Sequence, residues 1–97
     1  MSTTKTKTEL VRMAWVTALR TQGHRQCRGR FLDGNKVCAL SLIREVAPTS
    51  RGQLSRGQLM ESVGISLDQA RHIIDLNDKR RATFAEIADV VEGWFKT

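Results

Sequence analysis

Two helix-start signals in the second half of the sequence constrain its fold more than any other feature. Ser66-x-x-Gln69 and Thr83-x-x-Glu86 are capping boxes, in which a hydroxyl and a longer polar side chain each accept a hydrogen bond from the other residue's backbone N–H. The first predicts a helix over residues 67–76, and the second predicts a helix that runs to the end of the chain. The expected inward faces are Leu67, Ala70, Ile73 and Ile74 in the first helix, and Phe84, Ile87, Ala88, Val91, Trp94 and Phe95 in the second.

The first half of the chain predicts a helix, a hairpin and a second helix. Apolar residues at spacings of three and four indicate a helix over residues 7–19, and Gly23 suits its C-terminal cap. Strands over residues 26–32 and 36–39 are expected around Asp33-Gly34-Asn35, whose residues tolerate positive φ. A buried helix over residues 38–46 follows, and Pro48 ends it. The expected apolar stripe of the first helix is Leu10, Val11, Ala14, Trp15, Ala18 and Leu19.

Residues 50–59 repeat the pentapeptide Ser-Arg-Gly-Gln-Leu twice. A five-residue period matches neither helix nor strand, so this duplication is interpreted as a lengthened loop, with phosphate binding through its glycines and arginines as the alternative. A helix over residues 58–63 follows, stopped by Gly64. The predicted class is α+β, mainly α: an N-terminal helix, a short β-hairpin, then a bundle of three to four helices. Residues 1–8 are expected to be a flexible basic tail, and residues 9–97 a single globular domain.

Positive charge is concentrated at the start of the chain. Residues 1–36 contain eight basic and two acidic side chains, whereas residues 37–97 contain eight of each, so the first third accounts for the whole net charge of +6. A segregated basic patch indicates attraction to phosphate or another anion.

Several kinds of chemistry are excluded by what the chain contains. Two cysteines without a signal peptide favour reduced thiols and a cytoplasmic protein, and the short apolar runs exclude a membrane partner. Cys27, Cys38, His24 and His72 lack the spacing of a zinc site, so no metal and no cofactor are expected. The sequence shows no pairing of a nucleophile with a base, and we expect no enzyme.

Two motif-like stretches have plainer interpretations. Residues 56–75 fit the spacing of a helix-turn-helix, but the second helix would present Asp68 and Asp75 to DNA phosphates, which favours a simple corner between two helices. Residues 75–86 mimic a calcium loop, yet Lys79 and Arg80 stand where an oxygen ligand and a glycine are required, which excludes calcium.

The richest binding candidate is the stretch Gly23-His24-Arg25-Gln26-Cys27-Arg28-Gly29-Arg30-Phe31. If it is a strand, His24, Gln26, Arg28 and Arg30 share one face. Arginine forks suit phosphate, Gln26 can read a base or sugar edge, and Gly29 lets a ligand approach the backbone. A solvated edge strand that resists aggregation is the alternative.

Three blocks in the chain resemble a family of short, uncharacterised bacteriophage and prophage proteins. They are Trp15…Ala18-Leu19-Arg20 followed by Gln26…Gly29, then Cys38-Ala39-Leu40, then Asn77-Asp78 with Phe84…Ile87-Ala88. The resemblance covers nearly the whole chain, although family members often have Cys-Cys-Leu-Gly where this sequence has Cys-Ala-Leu-Ser and carry a longer middle insert. It implies a phage origin and one structural or binding unit made of Trp15, Gln26, Gly29, Cys38, Asn77 and Asp78.

The leading hypothesis is a non-catalytic phage accessory protein that sequesters an anionic, nucleotide-like ligand, for example a host immune signal. Stacking on Trp15 or His24 would add to the arginine contacts, and a dimer would supply a composite pocket, so a homo-oligomer is expected. The alternatives are DNA or RNA binding through the basic third and a helix-turn-helix-like pair, and inhibition of a host protein. The predicted ligand-binding residues are Trp15, Arg20, His24, Gln26, Arg28, Arg30, Asn77 and Asp78.

Overall fold

The computed structural model describes residues 6–27, 32–34, 36–47 and 56–95. The first helix, α1, spans Lys7–Thr21. It begins with a capping box that the sequence analysis missed, since Thr6 Oγ1 accepts from the backbone N–H of Glu9 at 3.1 Å and the Glu9 carboxylate accepts from Thr6 N. Residues 6–8 were therefore wrongly assigned to the flexible tail, because the cap already orders them.

The residues directly after α1 do not form a strand, and residues 28–31 of the predicted first strand lie outside the described residues. Gln22 caps the helix, Gly23 does not adopt positive φ, and Gly23–Arg25 forms a 3₁₀ turn. In the described residues β1 lies at Leu32–Asp33 and β2 at Lys36–Val37, paired antiparallel, and β2 is shorter than the predicted 36–39. The predicted turn position is confirmed, and Gly34 supplies its positive φ of 65°.

A tight helical turn leads from β2 into the second helix, α2, at Ile43–Val46. The Cys38 backbone N–H donates to Ser41 Oγ at 2.9 Å, and the Ser41 N–H donates to Cys38 Sγ at 3.4 Å, which is a capping box with a thiol in place of a hydroxyl. Ala47 is extended, at φ −67° and ψ 137°, as the residue before a proline must be. The helix therefore ends at Val46 as predicted, but it begins at Ile43 and not at Cys38, which makes it shorter than predicted.

Three further helices follow: α3 at Arg56–Val63, α4 at Leu67–Asp78 and α5 at Phe84–Phe95. The second pentapeptide copy largely lies in α3, so the loop interpretation is wrong there, while residues 50–55 lie outside the described residues. Gly64, at φ 70°, ends α3 as predicted; its N–H donates to Glu61 O, and the Ile65 N–H donates to Met60 O.

Both predicted capping boxes are confirmed. The Gln69 N–H donates to Ser66 Oγ at 3.1 Å and the Glu86 N–H donates to Thr83 Oγ1 at 3.2 Å, with the reciprocal bonds from the backbone N–H groups of Ser66 and Thr83 also present. Leu67 was wrongly placed in the core, since it is 53% exposed. A buried Asn77 continues the inner face of α4 instead.

Helix α1 lies at the centre of the packing. It contacts α5, α3 and α2, while α4 packs on α5. Its buried stripe is narrower than predicted, because Leu10 is 54% exposed and Ala14 is also exposed. The predicted class, α+β and mainly α, is confirmed. Within the described residues, no helix combines the length and apolar character needed to cross a bilayer.

Candidate ligand-binding site

Trp15 belongs to the core and not to a binding face. Its side chain is 0% exposed, and its indole N–H donates to Ala39 O at 2.8 Å. The prediction that a ligand stacks on Trp15 is therefore wrong, because neither ring face is accessible. The bond instead ties the middle of α1 to the turn after β2, where it satisfies a carbonyl that would otherwise be buried without a partner.

Gln26 and Asn77 form the centre of a polar network between distant parts of the chain. Gln26 Nε2 donates to Asn77 Oδ1 at 2.9 Å and to Ala82 O at 2.8 Å. Asn77 Nδ2 donates to Cys27 O at 2.8 Å and to Asp78 Oδ1 at 2.7 Å. This network fixes the segment after the 3₁₀ turn against the C-terminal end of α4 and the turn that follows it.

The same network changes the role of Asn77. The residue is 1% exposed and both ends of its amide are engaged within the protein. The prediction that Asn77 contacts a ligand is therefore wrong, because a ligand would have to displace hydrogen bonds that hold the fold together. Gln26 is half-buried, and its Nε2 points into the protein. Its bond to Ala82 O therefore holds the turn after α4 in place. Asp78 is half-buried and accepts from Asn77.

His24 and Arg25 are presented by the 3₁₀ turn. Strand alternation does not apply to residues 23–25, so the predicted common face of His24 and Gln26 is wrong: His24 is exposed while Gln26 points to Asn77. Arg25 makes a bidentate pair with Glu45, with N–O distances of 2.7 and 2.8 Å. The hydrogen bonds to that carboxylate, aided by its charge, raise the pKa of Arg25 above its ordinary value.

The remaining predicted arginines are not gathered at this network. Arg20 pairs with Asp89 and Glu92 on α5, which neutralises it on the α1–α5 face. Its predicted contact with a ligand stays a prediction. Arg28 and Arg30 lie outside the described residues, and the chain enters that stretch from Cys27, whose carbonyl is held by Asn77.

A second basic segment, which the binding prediction did not include, precedes the residue that accepts from Gln26. Lys79, Arg80 and Arg81 are all exposed in the α4–α5 turn, which is joined to Gln26 through Ala82 O. We call His24, Arg25 and this triplet the basic surface. Arg80 pairs with Asp75 at 2.8 Å, whereas no ion pair is found for Lys79 or Arg81 among the described residues. Three consecutive basic residues were a visible signal, but nothing local linked them to residue 24.

Arg81 has an unusual backbone within the basic surface. Its φ of 56° is the one positive value at a non-glycine residue in the described part of the chain. The left-handed region costs such a residue roughly 1–2 kcal/mol. The residue that follows Arg81 is held in place, because the Ala82 N–H donates to Leu76 O at 2.8 Å and Ala82 O accepts from Gln26. Strain of this kind is often found at binding sites.

The helix pair α3–α4 does not strengthen the helix-turn-helix alternative. Asp68, Arg71 and His72 are exposed on α4, so its outward face carries an acidic residue beside the two potential donors. His72 also lies near Trp94 of α5, with ring centroids 6.0 Å apart. The face that would enter a major groove thus has mixed charge.

A separate open groove of about 650 Å³ lies between α1 and α5. Its floor includes Val16, Val91 and Phe95, and the Arg12 guanidinium carbon sits 3.5 Å from the centroid of the Phe95 ring. Arg12 Nε also donates to Val63 O at 3.0 Å, so this cation serves the packing of α1, α3 and α5. The charged lining residues are Glu9, Arg12, Arg20, Asp89 and Glu92, a slightly acidic set that does not suit an anion.

The potential metal ligands are dispersed. In the described ranges, no group of three or more histidine, cysteine, aspartate or glutamate side chains is placed to hold an ion. Cys27 and Cys38 are both buried and are not joined by a disulfide.

Comparison with known proteins yields no match to a family model, to a curated protein or to a solved structure.

Proposed function

We propose that this protein is a non-catalytic binding protein for phosphate-bearing ligands, and that a nucleic-acid strand occupies the basic surface. The observation that carries this proposal is the Gln26 bond to Ala82 O at 2.8 Å, which joins two basic segments lying far apart in the sequence. The arginine-bearing stretch beginning at Arg28 leaves from the same network, next to Cys27.

Within the basic surface, the cations of the α4–α5 turn remain available to an external anion, whereas Arg25 is held by Glu45. Lys79 and Arg81 are exposed, and the Arg80–Asp75 pair is on the surface, with the Arg80 side chain 68% exposed. Exposed ion pairs contribute typically under about 1 kcal/mol, so a phosphate can replace the carboxylate at little cost.

An open surface favours a polymer over an enclosed nucleotide. Pockets for small ligands are concave and bury most of the ligand, whereas a strand gains affinity from several phosphates at once. The basic surface is formed by two turns, and the groove that the described residues line is slightly acidic. Sequestration of a single nucleotide is the rival that the experiment below separates.

The phage origin implied by the sequence resemblance remains part of this proposal. So does a homo-oligomeric state, which light scattering of the purified protein would test.

The deciding experiment measures binding of labelled single-stranded DNA, duplex DNA and a panel of mono-, di- and cyclic nucleotides at two salt concentrations. We expect DNA to bind with an affinity that falls steeply with salt. The double variant Lys79→Ala/Arg81→Ala should weaken binding at least about fivefold and reduce the salt slope by about one to two, as expected when phosphate contacts are lost.

The matched control is Lys7→Ala/Arg71→Ala, which removes the same charge from exposed positions on α1 and α4. An equal loss of DNA affinity in both double variants would show that only the net charge of the protein matters. That result would contradict the proposal that DNA binds at the basic surface. Tight binding of one nucleotide that persists at the higher salt would replace the proposal with sequestration. No binding of any of these ligands would leave inhibition of a host protein.

A further inference from the structure

The two cysteines occupy adjacent positions on paired segments. Gln26 and Val37 form an isolated parallel β-bridge, and the backbone N–H of Cys27 donates to Val37 O at 2.9 Å. In a parallel pairing, the residues that follow a bridged pair lie side by side and project toward the same face. Cys27 and Cys38 are those two residues.

Both cysteines are buried in the same core, and hydrogen bonds hold the backbone of each. Each cysteine is 7% exposed and both belong to the same core cluster. Asn77 Nδ2 fixes the backbone of Cys27, and Ser41 fixes that of Cys38 through the 2.9 Å bond to its N–H. Neighbouring strands lie roughly 4.8 Å apart, which falls within the roughly 4.4–6.8 Å separation of Cα atoms that a disulfide requires.

We propose that Cys27 and Cys38 are a redox-sensitive pair whose oxidation to a disulfide locks the base of the hairpin between them. With a peroxide as oxidant, one thiolate attacks a peroxide oxygen to form a sulfenic acid and release water or an alcohol. The second thiol then attacks that sulfur, the S–S bond forms, and the hydroxyl leaves as water with the thiol proton. Each thiol loses one hydrogen, and the peroxide accepts both electrons.

The closed loop would contain Arg28 and Arg30, the two arginines of the predicted binding stretch. Formation of the disulfide would therefore limit the conformations open to the segment that carries these two arginines. This inference does not rest on the proposed function, because the disulfide is detected without any ligand.

Two cysteines so close in sequence can also pair in an unfolded chain, so the test compares native with denatured protein. The protein is equilibrated with reduced and oxidised glutathione, with and without denaturing guanidinium. The fraction that has lost two hydrogens is then read by intact-mass spectrometry after alkylation. If the fold holds the two thiols together, their effective concentration is at least about tenfold higher in the native protein.

By thermodynamic linkage the same disulfide must stabilise the fold, and we expect oxidation to raise Tm by at least about 5 °C. Cys27→Ala and Cys38→Ala should each abolish the intramolecular loss of two hydrogens. An effective concentration no higher in the native protein, a disulfide that forms only between molecules, or oxidised protein with a lower Tm would each overturn the proposal.

Discussion

Gln26 Nε2 donates to Oδ1 of Asn77 across 51 residues of sequence, and this bond joins the segment after α1 to the end of α4. Asn77 adds bonds to Cys27 O and Asp78, and Gln26 adds one to Ala82 O. The residues predicted to touch a ligand thus hold two basic segments in place. Their substitution should disturb stability first and binding as a consequence.

Asn77→Ala should lower the free energy of unfolding by about 2–3 kcal/mol, because it strands the buried Cys27 carbonyl and removes a partner of Gln26. Gln26→Ala should cost less, about 1–2 kcal/mol, because Gln26 is only half-buried. In guanidinium denaturation, the double variant should show a coupling of about 1 kcal/mol. Strict additivity would show that the 2.9 Å bond contributes nothing on its own.

Trp15→Phe should destabilise the protein by about 2 kcal/mol, because it leaves Ala39 O without its donor and creates a cavity in the core. Trp94→Phe is the matched control, since Trp94 is half-buried on α5 and its loss should cost under about 1 kcal/mol. Both are measured by equilibrium unfolding followed by circular dichroism. Equal losses would contradict the assignment of Trp15 to the core.

Gly64→Ala should destabilise the protein by about 2–3 kcal/mol. Its φ is 70°, and an added Cβ would lie 2.9 Å from Thr8 Cγ2 and 3.2 Å from an Arg12 guanidinium nitrogen. Gly93→Ala makes the same chemical change inside α5, where nothing lies within 4 Å of the new Cβ. That control should raise stability by about 0.5–1 kcal/mol, because alanine favours helix over glycine. If thermal unfolding shows that Gly64→Ala and Gly93→Ala change the stability in the same direction, the conformation described for the end of α3 is contradicted.

Arg81→Gly should separate stability from binding. Relief of positive φ should raise the free energy of unfolding by about 0.5–1 kcal/mol, after allowance for the greater freedom of glycine in the unfolded chain. Affinity for single-stranded DNA should fall, because an exposed cation is lost.

Arg80→Gly is the control for that experiment, since Arg80 lacks positive φ and pairs with Asp75. This variant should lower the free energy of unfolding by about 0.5–1 kcal/mol, because glycine adds freedom to the unfolded chain and relieves no strain at this position. If Arg81→Gly lowers both stability and affinity, the backbone at Arg81 is not strained as described.

The sequence by itself determined the features whose physical causes are local. Ser66 with Gln69, and Thr83 with Glu86, satisfy N–H groups only three residues away, so the starts of α4 and α5 follow from neighbouring side chains. Gly34 lies in the turn where positive φ was predicted, and Gly64, which was predicted to end a helix, does so with positive φ. The amphipathic spacing likewise sets the helical class, because it depends only on the helix period.

Only the tertiary structure decided which polar residues face inward and which basic segments meet. Burial of Asn77, the inward turn of Gln26, and the hydrogen bond from Trp15 to Ala39 depend on partners 24 to 51 residues away. The 3₁₀ turn at Gly23–Arg25 removed the strand alternation from which the face of His24 was predicted, and the chain then forms a bridge from Gln26 to Val37. Such contacts are set by packing geometry, which no local pattern encodes, so the bond that links Gln26 to Ala82 became visible only in three dimensions.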